Sequence, residues 1–91
     1  MFPSNAEVWV AGEALIDLLP GGHPIVGGGP ANTAKALANF GINTSFVGGI
    51  SSDKYGQLVE AELNAFGVDL GLVNRSLLPT ALAKVSLDEF G

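Results

Sequence analysis

The chain contains no cysteine, which excludes disulfides, thiolate nucleophiles and any metal site built on sulfur. Its one histidine, His23, lies in a turn-rich segment; there is no second imidazole to share a zinc ion, and His23 is expected in solvent. Basic residues are scarce. Four Lys and Arg against nine Asp and Glu give a net charge of −5, and none precedes Lys35, so nucleic acid and anionic membranes are poor partners. Long apolar runs are missing too, and the N-terminus has no basic leader but carries Glu7 and Glu13 around its short apolar stretch. Neither a membrane span nor a signal peptide is expected, and a cytoplasmic location is. Two Asn-x-Ser sequons, at Asn43 and Asn74, therefore have no secretory context.

What the chain does have is 47% hydrophobic against 14% charged residues, a balance that makes a folded core and not a disordered segment. Ninety-one residues suit one small domain. A domain of that size buries only about 60% of its unfolded surface, so its stability would be marginal.

The run "EVWVAGEALIDLLP" carries apolar residues on both sides of Gly12 and is expected as one strand buried on both faces, ended by Pro20, with Trp9 in the core. After a turn-rich segment, Ile25 and Val26 form a candidate short strand, a small excursion from the main sheet. Pro30 opens the first helix, with Ala31, Ala34, Leu37, Ala38 and Phe40 as its apolar face and Gly41 beyond its end. A buried strand is expected at 45–47. A second helix follows, capped by Asp53, with Leu58, Val59, Ala61, Leu63 and Phe66 inward and Gly67 at its end. The tail "TALAKVSLDEFG" alternates as a one-sided strand and then enters a turn with no strand left to pair with, which suggests a piece of a longer chain. Strand, helix, strand, helix is the order of an α/β layer with parallel strands.

"IVGGGPANTAKALANFG" sets three glycines and a proline before a helix. Glycines are tolerated together where backbone bends sharply or approaches something closely, whether a ligand or a packed strand. Phosphate is one candidate ligand, because helix N-termini offer free N–H groups and partial positive charge. However, Gly28-Gly29 is followed by Pro30-Ala31 and not by Lys-Ser/Thr, and Gly27-x-Gly29 lacks the third glycine of a dinucleotide fingerprint. Asp17, near the end of the first apolar run, would repel phosphate and instead accept hydrogen bonds from neutral hydroxyls. With Asn32 and the bare N–H groups of Gly28 and Gly29 it suits a polyol or sugar. Structural alternatives stand beside these roles: Asp17 as a solvated residue at a strand end, and Asn32 as a helix cap.

These residues resemble the ribokinase or PfkB-type carbohydrate kinases, in their fructokinase-like branch. "GEALIDLLP" looks like the first strand, and "GGGPANTAKALANFG" is similar to the signature Gly-Gly-x-Pro-Ala-Asn. "FVGGISSDKYGQLVEAELNAFGVD" resembles the downstream Phe-x-Gly, Asp-x-x-Gly and Gly-Val-Asp pattern, with Ser51 where a glycine is common. The resemblance implies the N-terminal part of a ribokinase-like parallel sheet flanked by helices, with β-lid segments at about 18–26 and 80–91 that can form a dimer interface. It implies that Asp17, Gly28, Gly29 and Asn32 bind the sugar, with Ala83 and Val85 nearby. It further implies ATP and Mg²⁺ as cofactors of the complete enzyme, held with the catalytic base by a C-terminal Asp-Thr-x-Gly-Ala-Gly-Asp motif that has no counterpart in these residues. The expectation is an ATP-dependent sugar kinase whose sugar-binding half this is, inactive by itself and needing its C-terminal half. The alternatives are a non-catalytic module that binds sugar or dimerises through lid strands, and, disfavoured by the missing phosphate motifs, a small nucleotide-binding domain.

Overall fold

A computed structural model describes residues 7–84. Its elements, in chain order, are β1 (Val8–Ala11), β2 (Leu15–Leu19), β3 (His23–Gly27), α1 (Gly29–Asn39), β4 (Thr44–Ser51), α2 (Lys54–Ala65), β5 (Val73–Ser76) and β6 (Ala81–Lys84). They form two three-stranded sheets. In the first, β1-β4-β5, every pairing is parallel; in the second, β3-β2-β6, β2 pairs antiparallel with β3 and parallel with β6. The α/β architecture with parallel strands and a small side sheet is therefore present.

The long strand expected around Gly12 is instead two strands in different sheets. Gly12 has a φ of +147°, and a side chain there would collide with the Pro30 ring, so the chain turns under the start of α1 and leaves the first sheet. An apolar run reads the same whether it continues or breaks, and only the packing of Pro30 decides.

β1-α1-β4 and β4-α2-β5 are right-handed crossovers by the usual rule, and they set both helices on one face of the first sheet. Phe46 and Ile50 of β4 meet Ala31 and Ala34 of α1, Val59 and Leu63 of α2, and Val68 there, all buried. Ile16 and Val26 of the second sheet join the same cluster, so the two sheets share one core. Trp9 is on the other face, in register with Ser45, and is 52% exposed, contrary to its expected place in the core. The reason is that parallel sheets are ordinarily covered on both faces, and the described residues cover one.

The helix faces are narrower than expected. Along α2 only Gly56, Val59 and Leu63 are buried, a stripe at three- and four-residue spacing, while Leu58, Ala61 and Phe66 are exposed. On α1, Ala31 and Ala34 are buried and Phe40, at the C-cap, is exposed. Gly41 and Gly67 end the two helices with positive φ, as expected. Strand β4 is longer than the stretch 45–47 and runs through both Gly48 and Gly49. Strand β5 was not anticipated. Of the tail strand, residues 81–84 form β6, and the rest, with the turn after it, lies outside the described residues.

Candidate functional site

The site begins with a register. Pairing of β2 with β3 sets Leu15 opposite Gly27 and Asp17 opposite Ile25, and pairing with β6 sets Asp17 opposite Ala83. Ile16, one residue away, points into the core, so Asp17 stands on the outer face of the second sheet. It belongs to the second sheet and not to the same strand as Val8–Ala11. A side chain on Gly27 would collide with the Asp17 carboxylate, so the bare backbone of Gly27 is what lets that carboxylate lie across the end of β3.

Gly28 then turns the chain into α1 with a φ of +93°, a conformation side-chain-bearing residues rarely adopt; a Cβ there would also press within 3.0 Å of the Glu13 carbonyl. Its carbonyl accepts from the Asn32 amide at 2.9 Å, closing the first helical turn. Gly28 is the N-cap of α1 and supplies no side-chain cap, and no acidic residue occupies the first turn. Asn32 is exposed and makes no side-chain hydrogen bond among the described residues, so it does not cap the helix. Asp17 likewise spends no side-chain hydrogen bond among them. Around Gly29 there is open space: a side chain would meet nothing within 4 Å.

Sequence reasoning singled out Gly28 and Gly29, whereas it is Gly27 and Gly28 whose missing side chains the packing demands. The signal was available: aligning Gly-Gly-x-Pro-Ala-Asn on Pro30 and Asn32 puts its two glycines at 27 and 28. The junction of β3 and α1 thus gathers one carboxylate, one amide side chain and an uncapped helix start, a set that can accept from and donate to hydroxyl groups.

The second helix begins differently. Asp53 caps α2 by accepting from the Gly56 amide at 2.7 Å, as expected, and the same carboxylate also accepts from the Thr80 hydroxyl at 2.6 Å and the Thr80 amide at 2.8 Å. The two Thr80 donors, then the Gly56 amide, hold its pKa down from the ordinary 3.8 to about 2. Ser51, where the resembling family often has glycine, makes the local turn with its hydroxyl, which accepts from the Asp53 amide at 3.1 Å. A cavity of about 180 Å³ lies under this junction, lined by Glu13, Ala14, Ser51, Gly56 and Thr80 among others. None of Asp17, Gly28, Gly29 or Asn32 lines it. The candidate site is the open β3–α1 junction, where Asp17 lies against Gly27 and Gly28, Gly29 and Asn32 begin α1.

Among the described residues no group of three or more His, Cys, Asp or Glu could hold a metal ion, and no helix is long and apolar enough to cross a membrane.

Residues 12–89, which hold most of the parallel α/β layer and the β side sheet, match the pfkB family carbohydrate kinases. The chain belongs to that family. It is 40% identical over 70 residues to a fructokinase of Escherichia coli, spanning 72% of this chain and 23% of that protein. The crystal structure of fructokinase from Vibrio cholerae O395, in its fructose, ADP and calcium ion bound form, superposes with a TM-score of 0.79 at 31% identity, over 97% of this chain and 30% of that one. Aminoimidazole riboside kinase from Salmonella enterica, complexed with aminoimidazole riboside and an ATP analog, superposes with a TM-score of 0.82 at 28% identity, over 92% of this chain and 31% of that one. The chain thus spans less than a third of the length of these relatives.

Proposed function

We propose that the complete protein is an ATP-dependent sugar kinase of the fructokinase type and that residues 7–84 supply the larger share of its sugar site. The observation that carries this reading is the Asp17 carboxylate lying across Gly27, beside the uncapped start of α1 and the unspent side chain of Asn32. In this reading Asp17 accepts hydrogen bonds from two neutral hydroxyls, Asn32 engages a third, and the backbone of Gly28 and Gly29 approaches the ring. A carboxylate at the centre favours hydroxyls over phosphate. The V. cholerae relative was crystallised with fructose and the S. enterica relative with a riboside, which supports a furanose-sized hydroxylated substrate.

In this reading ATP and Mg²⁺ are cofactors of the complete enzyme, held with the catalytic base by the C-terminal motif that the family resemblance implies. In this proposal segments 18–26 and 80–84 belong to the lid over the sugar, the expected remainder to 91 lying outside the described residues, and two lids would meet through β3 and β6.

The test is a coupled assay of ADP release by the complete gene product with Mg-ATP and a panel of hexoses, pentoses and ribosides. Turnover of fructose or a close analogue, with KM raised by Asp17→Asn, supports the reading. Absence of turnover with every sugar overturns it. Sedimentation of the same preparation decides the lid dimer.

A further inference from the structure

Strand β6 is held by little of its own. Among the described residues it pairs with β2 alone, and Ala81, Leu82 and Lys84 are exposed. The segment leading into it is nevertheless tied at several points to the end of β4 and the start of α2. The Ser52 amide donates to the Ser76 carbonyl at 2.9 Å, the Ser52 hydroxyl donates to the same carbonyl at 3.3 Å, and Thr80 donates twice to Asp53. Thr80 immediately precedes β6, and three residues later Ala83 stands opposite Asp17.

We propose that Asp53 is a positioning residue for the sugar site: its carboxylate latches Thr80 and so sets the register of β6 beside Asp17. The inference rests on the sugar-site reading above and deepens it by naming a residue that touches no substrate. A helix cap alone would need one carboxylate oxygen, and Asp53 uses Oδ1 for Gly56 and the Thr80 hydroxyl while Oδ2 takes the Thr80 amide. The latch acts where β6 begins: a cavity of about 180 Å³ lined by Thr80 and Ala81 lies beside it, and most of the strand is exposed.

Two variants separate latching from capping. Asp53→Asn keeps Oδ1, and asparagine caps helices as well as aspartate, but it turns an amide group toward the Thr80 N–H that can no longer accept. Thr80→Val removes the hydroxyl bond and leaves Asp53 intact, and Thr80→Ser restores it. In the complete gene product, amide hydrogen exchange of β6 is expected to speed up about tenfold in Asp53→Asn and Thr80→Val, with α2 unchanged and Thr80→Ser close to the parent. The sugar KM is expected to rise several-fold in the first two variants with kcat little changed, the mark of lost uniform binding. Unchanged β6 exchange in both variants overturns the latch. Faster β6 exchange with an unchanged sugar KM overturns the positioning role. The exchange measurement reads out whether or not any sugar is turned over, so failure of the kinase reading and failure of the latch give different results.

Discussion

The two helices of this protein start in opposite ways. Helix α1 begins at Gly28 with no side-chain cap, while α2 begins at Asp53, whose carboxylate takes three hydrogen bonds. A helix start carries N–H groups that have no partner within the helix, and they must be satisfied by something. At α2 a carboxylate of the chain itself supplies an acceptor, and the same carboxylate ties the helix to the second sheet. At α1 no side chain among the described residues supplies one; the Asp17 carboxylate lies over Gly27 just before it, and the Asn32 side chain in its first turn makes no hydrogen bond among them. One helix start is closed by a side chain of the chain itself, and the other carries no side-chain cap.

The comparison is broken most severely at Asp17. Asp17→Asn keeps the shape but removes the charge that hydroxyls donate to, and kcat/KM for the sugar is expected to fall roughly 10- to 100-fold, as loss of a charge-assisted hydrogen bond does. Steady-state kinetics of the complete protein checks this.

Gly28→Ala tests the uncapped start itself. Forcing a side chain into φ +93° against the Glu13 carbonyl is expected to destabilise the protein by about 1–3 kcal/mol and to raise the sugar KM. Gly29→Ala, next in the chain and in open space, is expected to cost under about 1 kcal/mol. Urea unfolding of the pair gives the contrast.

Lys35 links the two helices: its Nζ donates to Glu62 Oε2 at 2.6 Å and to the Val26 carbonyl, and lies 5.5 Å from the Phe66 ring centre. Lys35→Met is expected to lower stability by about 1–2 kcal/mol in the same unfolding series. The ion pair of Arg75 with Glu60 is more exposed, and Arg75→Gln is expected to change stability by less than about 1 kcal/mol.

The pH dependence sharpens the α2 side. The folded-state pKa of Asp53 is depressed, so its contribution to stability is complete above the ordinary 3.8 and is lost as pH falls toward about 2. The Tm difference between the parent and Asp53→Asn is therefore expected to narrow across that interval. A difference that stays constant down to pH 2 would break the assignment.

Much of this was legible in the amino-acid order. Pro30, Gly41, Asp53 and Gly67 mark helix ends through their own backbone and capping chemistry, and local rules therefore located both helices. The Asp17, glycine and Asn32 set pointed to hydroxyls because charge and donor inventory belong to residue types. What failed were readings that depend on what lies across from a residue. Trp9 looked like core because an aromatic in an apolar strand does, yet it is exposed on the face that no described helix covers. Leu58 and Phe66 fit the helical period and still miss the sheet, since the period does not say how wide the contact stripe is. The Gly-Gly-x-Pro-Ala-Asn spacing marked Gly27, but the reason it must lack a side chain emerges only once pairing with Leu15 brings Asp17 over it.

The sequence by itself determined the α/β order, the two helix boundaries, the absence of phosphate fingerprints and the residue types from which a sugar site can be made, because each follows from local conformation or from side-chain chemistry. Only the tertiary structure decided that the first apolar run breaks at Gly12 into two sheets, that Gly27 yields space to Asp17, and that Asp53 reaches across 27 positions to Thr80. Those are contacts between residues distant along the chain, and they exist only once a shared core has brought the two sheets together.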